Sequence, residues 1–276
     1  MDSSRLVLLF SFSCFLLHLP SLTTAQPNFN NYYCDYNDLG NYTTNSTFQR
    51  NLNSLLSSLA SNTQIDYGFY NLSFGENPDR VNAIALCRGD VAVDTCRRCV
   101  NNSTLKILQV CPNTMEAFGI YELCMIRYSS RSIFGVLEEQ PSTYRANRQN
   151  VLDVNLFNQA LQTLLARLRG RAASGNSLRK FATGNQTSGF ETVYALVQCT
   201  PDLSEQQCSS CLLRLFRLIT NCCDGNVQGK IGVRLIRPSC NLRWETGSFF
   251  NVTPETLPPP PQASPISPPA VAQGRP

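Results

Sequence analysis

The sequence predicts an α+β fold of two tandem, disulfide-stapled domains, each an antiparallel sheet packed against two helices. Three observations predict it: a doubled cysteine pattern, an amphipathic helix that recurs in both halves, and strand-like segments after each cysteine-bearing helix. Residues 81–99, VNAIALCRGDVAVDTCRRC, align with residues 193–211, VYALVQCTPDLSEQQCSSC. Cys87, Cys96 and Cys99 meet Cys199, Cys208 and Cys211 at an offset of 112, which Cys111 and Cys223 share. Cys124 and Cys240 stand 116 apart, so a four-residue insertion lies between.

The recurring helix is read from its apolar steps. Phe48, Leu52, Leu55, Leu56 and Leu59 reappear as Phe157, Leu161, Leu164, Leu165 and Leu168, one face of a helix in each half. A second helix carries C-x-x-C. In the second half Ser204-x-x-Gln207 is a capping box, and Cys208, Cys211, Leu212, Leu215, Phe216 and Ile219 share one stripe. IGVRLIR and CNLRWETGSFF then read as two strands joined at Pro238-Ser239, with FGIYELCMIRYSS in the same place in the first half. SIFGVLEE, between the halves, also reads as strand-like, and the halves are expected to pack as one rigid tandem.

The ends divide the chain further. LVLLFSFSCFLLHL is an apolar run too short to span a bilayer and is followed by the small-residue site Thr23-Thr24-Ala25, so residues 1–25 read as a signal peptide. The domains are placed at 26–138 and 139–253. Residues 254–276 hold nine of the 16 prolines and read as a disordered, polyproline-like tail. No other segment is long and apolar enough for a span.

Secretion frames the chemistry. Of 13 cysteines, Cys14 leaves with the leader and twelve remain, an even number in an oxidising route. The one histidine, His18, also lies in the leader. Ser-His-Asp and Cys-His nucleophile systems, His-ligated zinc and a His general base are therefore excluded from the mature chain. No carboxylate pair stands out, and the chain reads as a non-enzyme with no cofactor and no metal. Asn41, Asn45, Asn71, Asn101, Asn102, Asn185 and Asn251 each open an N-x-S/T sequon. Net charge is +4; Arg167, Arg169, Arg171, Arg179 and Lys180 read as a solvated helix end and loop. Arg88-Gly89-Asp90 reads as a turn that starts a helix rather than an adhesion tripeptide. Buried on an apolar stripe, Cys96-x-x-Cys99 reads as a staple rather than a redox or zinc pair.

Two copies of C-x8-C-x2-C, each with a distal cysteine and C-x-x-R-[YW], resemble the ginkbilobin-homologous domain. That domain occurs in plant cysteine-rich repeat secretory proteins, plasmodesmata-located proteins and the ectodomains of cysteine-rich receptor-like kinases. The resemblance covers roughly residues 30–250 and implies a lectin-like architecture with a role in stress and defence at the cell surface or in the apoplast. It implies the pairs Cys34–Cys111, Cys87–Cys96 and Cys99–Cys124, then Cys199–Cys208 and Cys211–Cys240. Domain 2 departs from the pattern: Cys223 has no distant partner and Cys222 is extra, so the two form a vicinal disulfide or stay reduced. The tail resembles the segment that precedes the membrane span in the receptor-like kinases.

The family's founding member binds mannose through an Asn, an Arg and a Glu. Domain 1 has Asp35, Phe118 and Ser129 at those places and keeps none of the three. Domain 2 keeps two, Arg234 and Glu245. A hairpin closed at Pro238-Ser239 sets Arg234 opposite Arg243 with Glu245 as its diagonal neighbour, while Trp244 alternates to the core side. The Arg–Glu pair is expected at the exposed surface, where replacing Arg234 costs little stability. The functional expectation is a secreted, lectin-like defence protein that binds mannose-type glycans of the cell wall or of fungi through domain 2. The alternative is an extracellular protein-interaction module, a truncated receptor-like kinase ectodomain, whose partners are other receptor domains. Nucleic acid is not an expected partner.

Overall fold

The computed structural model describes residue 29, residues 31–221 and residues 227–250. The expected leader with its cleavage site, Cys222, Cys223, Asn251 and the proline-rich tail lie outside the described residues. Two five-stranded antiparallel sheets organise the chain. Sheet 1 has the order β1-β4-β5-β3-β2, from β1 (Asn31–Cys34), β2 (Phe69–Phe74), β3 (Val81–Cys87), β4 (Glu116–Ile120) and β5 (Cys124–Ser129). Sheet 2 repeats it as β6-β9-β10-β8-β7, from β6 (Thr143–Ala146), β7 (Lys180–Ser188), β8 (Glu191–Cys199), β9 (Gly232–Ile236) and β10 (Cys240–Glu245).

Each sheet carries two helices on one face. α1 (Thr47–Ser61) and α2 (Val93–Val110) cover sheet 1; α3 (Val154–Ala173) and α4 (Glu205–Asn221) cover sheet 2. The stripes read from the sequence are the faces that pack: Phe48 to Leu59 of α1 and Phe157 to Leu168 of α3 are buried, each in its own core. Helix starts follow local chemistry. The Ser46 hydroxyl accepts from the Gln49 amide and the Asp153 carboxylate from the Leu156 amide, satisfying N–H groups that the first turn leaves unpaired. At α4 the box is reciprocal: the Gln207 amide donates to the Ser204 hydroxyl at 3.2 Å and the Ser204 amide donates to Gln207 Oε1 at 2.8 Å.

Five disulfides are present among the described residues: Cys34–Cys111, Cys87–Cys96, Cys99–Cys124, Cys199–Cys208 and Cys211–Cys240. Each domain thus has its cysteine-bearing helix stapled at Cys96 or Cys208 to the end of β3 or β8, and at Cys99 or Cys211 to β5 or β10. Non-reducing peptide mapping should recover Cys87 with Cys96 and Cys199 with Cys208. A Cys96–Cys99 link as the main species would overturn this arrangement.

The sheet faces away from the helices turn toward the other domain and the segment between. The three central strands of sheet 1, β4, β5 and β3, are accordingly buried on both sides: Val81, Ala83 and Ala85 of β3 point to the helices, while Ile84 and Leu86 join a second cluster with Phe69, Phe118, Ile120, Met125, Ile133 and Ile236 of domain 2. Gln198 Nε2 donates to the Cys87 carbonyl across the junction at 2.9 Å. Gly89 is needed here, because a Cβ would run into the Phe181 ring. Arg88 and Asp90 pair within the turn ahead of α2 at 2.7 Å, as a turn reading of that tripeptide requires.

Two local expectations change. SIFGVLEE is not a strand; residues 130–142 are an irregular strap. Its apolar Ile133 plugs the second cluster, and Glu138 and Glu139 are taken by arginines of domain 1 and domain 2. Lys180 is not solvated but 4% exposed, its ammonium donating to the Ala173 and Gly175 carbonyls where α3 ends.

Candidate functional site

β9 and β10 form the hairpin read from the sequence, with Arg234 directly opposite Arg243 and Trp244 opposite Val233. Trp244 is fully buried, and its indole N–H donates to the Lys230 carbonyl at 3.0 Å. Arg234, Arg243 and Glu245 lie on the other face, toward domain 1. The structure does not leave Arg234 and Glu245 as an exposed pair. Arg234 donates to Glu122 Oε2 at 3.1 Å and to the Tyr121 carbonyl at 2.9 Å, both from domain 1. Glu245 accepts from Arg243 Nε at 2.9 Å. The Arg234 side chain is 17% exposed, so the expectation that its loss costs little stability is corrected.

Glu122 is the hub that sequence reasoning missed. Arg88 reaches it at 3.3 Å, and Arg234 and Arg243 also pair with it. Phe249 closes one side, with the Arg243 guanidinium 4.3 Å from its ring centroid. The Arg234 pKa is pushed down to about 10: burial lowers it most, Glu122 pulls it back up, and the neighbouring Arg243, Arg88 and Arg145 add to the lowering. No local signal could have found Glu122, because it meets Arg234 only through docking of the two domains.

The places at which domain 1 departs from the mannose-binding pattern are occupied differently. Phe118 is buried in the second apolar cluster and Ser129 donates to Glu116 at 2.8 Å. Asp35 accepts from the Asn37 and Asp38 amides, holding the turn after β1. Glu116, Arg127 and Glu138 form a buried ion network that the exposed Arg131 closes from the outside. Of the sequons, Asn41, Asn45, Asn71, Asn101 and Asn185 are exposed and Asn102 is half-buried.

In domain 2 the same region opens as a cleft of about 390 Å³, lined by Phe29 and Glu122 of domain 1 and by Arg145, Asn147, Gly232, Arg234, Arg243 and Glu245.

Comparison with known proteins places this architecture. The salt stress response/antifungal family matches residues 33–131 and again 139–247. The chain belongs to that family. Cysteine-rich receptor-like protein kinase 29 of Arabidopsis thaliana is 41% identical over 270 residues, covering 96% of this chain and 39% of the kinase. Cysteine-rich repeat secretory protein 38 of the same plant is 37% identical over 210 residues, covering 76% of this chain and 81% of that protein. This chain thus spans about two fifths of the kinase it matches. The crystallised tandem DUF26 ectodomain of PDLP8 from Arabidopsis thaliana superposes with a TM-score of 0.63 at 21% identity, covering 79% of this chain and 97% of that one. That of PDLP5 gives 0.60 at 24%, covering 80% and 100%. At such identities the likeness is one of fold: two DUF26 domains in tandem. The family's members are secreted proteins and receptor ectodomains, and the disulfide-rich fold is consistent with an extracellular location. Among the described residues no helix is long and apolar enough to cross a membrane.

Proposed function

We propose that the chain is a non-catalytic extracellular recognition module in plant stress or defence, presenting a ligand or partner surface at the junction of its two domains. One observation carries this: Glu122 of domain 1 takes three arginines, two of them from the central hairpin of domain 2, so the junction is built from both domains at once. The residues that would make domain 2 a mannose site serve that junction. Arg234 and Glu245 each hold another partner, and the Asn of the mannose triad has no counterpart in domain 2. The interaction-module reading needs no such triad and is the better account.

Two experiments test it. The secreted protein is passed over an array of neutral and acidic wall glycans and over immobilised tandem ectodomains of the same family. Saturable binding with the ligand recovered unchanged supports recognition; conversion of a bound ligand into new products, seen by mass spectrometry, overturns the non-catalytic reading. Mannose and short mannans are then titrated by NMR. The expected result is no saturable shift at the arginine side chains. Millimolar mannose binding that disappears in Arg234→Ala, with Arg243→Lys still binding, would restore the mannose-type lectin reading instead.

A further inference from the structure

Three arginines stand in direct register on adjacent strands of sheet 2. Arg145 of β6 is opposite Arg234 of β9, and Arg234 is opposite Arg243 of β10. Residues directly opposite on neighbouring strands share a face with their Cβ atoms about 4.5–5.5 Å apart, and like charges placed so repel. Such a ladder is costly unless anions meet it. Domain 1 shows the contrast. The equivalent row of sheet 1 reads Tyr33, Phe118, Arg127, Ile84, with one arginine only. Glu116 from β4 and Glu138 from the strap cover that arginine, so the site is closed. In domain 2 the row holds three guanidinium groups, and the cleft beside it stays open.

The lining is mixed in a way that selects a chemistry. Arg145, Arg234 and Arg243 face the cleft with two carboxylates, Glu122 and Glu245. Gly232 keeps the wall low, since a Cβ there would run into the Glu245 carboxylate. Guanidinium groups call for an anion, held best by paired N–H donors. Carboxylates call for hydroxyl donors and repel an anion that brings none. A neutral hexose satisfies only the second demand, and a sulfate ion or an acidic peptide only the first. A uronic acid offers both, one carboxylate and several hydroxyls on one ring. Phe29 adds an apolar wall, and about 390 Å³ lies within the usual range of roughly 300–1,000 Å³ for small-ligand sites.

We propose that this cleft binds a carboxylate-bearing sugar, a uronate residue of an acidic polysaccharide, with the arginine ladder on its carboxylate and Glu245 on its ring hydroxyls. Glu122 is the internal carboxylate with which that ligand competes. The proposal rests on the recognition reading above and names its ligand class.

The test uses the secreted chain and a short oligogalacturonate, with four comparisons by calorimetry: its methyl ester, mannotriose, triglutamate and sodium sulfate at matched ionic strength. Oligogalacturonate should bind, and its affinity should fall as salt rises. The methyl ester, which keeps the ring and loses the charge, should bind at least about tenfold more weakly, the size of one charge-assisted hydrogen bond. Arg145→Gln, on an exposed edge-strand residue, should weaken binding about tenfold with the melting temperature unchanged. Glu122→Gln should tighten it, because an internal competitor is removed. A damaged fold would weaken binding instead, so the sign separates the two causes, and near-UV circular dichroism checks the fold. Equal binding of ester and acid, no binding of the acid, or triglutamate or sulfate binding as well as the uronate, would each overturn the proposal. If the acid fails while an ectodomain or neutral glycan binds elsewhere, the recognition reading stands without this ligand.

Discussion

Replacing Arg127 with Ala should lower the stability of the folded protein by about 3 kcal/mol at neutral pH. Arg127 is 5% exposed in its side chain and pairs with Glu116, at 8%, and with Glu138, at 11%. Removing the cation leaves two carboxylates in a poorly solvated place, which costs more than the ion pairs contributed. Arg131 still reaches both, which keeps the loss near the lower end of the usual 3–5 kcal/mol for breaking a buried pair. The triple change Arg127→Met with Glu116→Gln and Glu138→Gln removes charges together and should cost clearly less than Arg127→Ala alone. The pH dependence has a definite sign. Burial alone would raise the Glu138 pKa, but hydrogen bonds and charge from Arg131 and Arg127 outweigh it and hold the group below its ordinary 4.5. A carboxyl whose folded pKa is depressed contributes stability above its unfolded pKa and loses it as the pH falls through the folded one. The parent should therefore lose stability below about pH 4.5, and Arg127→Ala should lose less over the same interval. Urea titrations at pH 7 and across the acid range measure both. A cost under about 1 kcal/mol, or an acid loss as steep as the parent's, would show that the network does not hold the strap.

That network also marks the boundary of what the sequence makes readable. Helix faces, the Ser204–Gln207 box and the β9–β10 register follow from spacing within about twenty residues, where periodicity and capping act. The partners of charged residues do not. Glu138 lies in a segment whose apolar run reads as a strand, yet the run serves to plug a cluster and its acids are claimed by both domains. Arg234 and Glu122 are separated by 112 residues, and only the docking of two sheets brings them together. Lys180 looks like one more surface cation in a basic stretch. Its burial comes from the end of α3, whose carbonyls need donors that nothing in the local pattern announces. The partners of Arg234 and Glu245 escape the sequence for the same reason: a motif match fixes residue types and register, while the third dimension assigns their hydrogen bonds.

The second large effect should come from Trp244, the chain's one tryptophan. It is fully buried beneath the hairpin that carries Arg243 and Glu245 on its opposite face. Trp244→Ala should cost about 3–5 kcal/mol, from lost transfer energy and a cavity that the disulfide-stapled surroundings cannot collapse to fill. Trp244→Phe restores most of the apolar volume but leaves the Lys230 carbonyl without the indole donor at 3.0 Å, so about 1–3 kcal/mol should still be lost. Because that carbonyl sits just ahead of β9, the same change should loosen the strand that holds Arg234. Circular dichroism in urea gives the energies, since the variants lack tryptophan fluorescence. Hydrogen exchange then locates the damage. Domain 1 has its own helix-packed core and three disulfides, so β3 and β5 should keep their protection while β8, β9 and β10 lose theirs. Equal loss in both domains would instead mean that the docked interface makes the tandem a single cooperative unit. A cost below about 1 kcal/mol for Trp244→Ala would mean that the helices, rather than this side chain, hold the hairpin in place beneath the cleft.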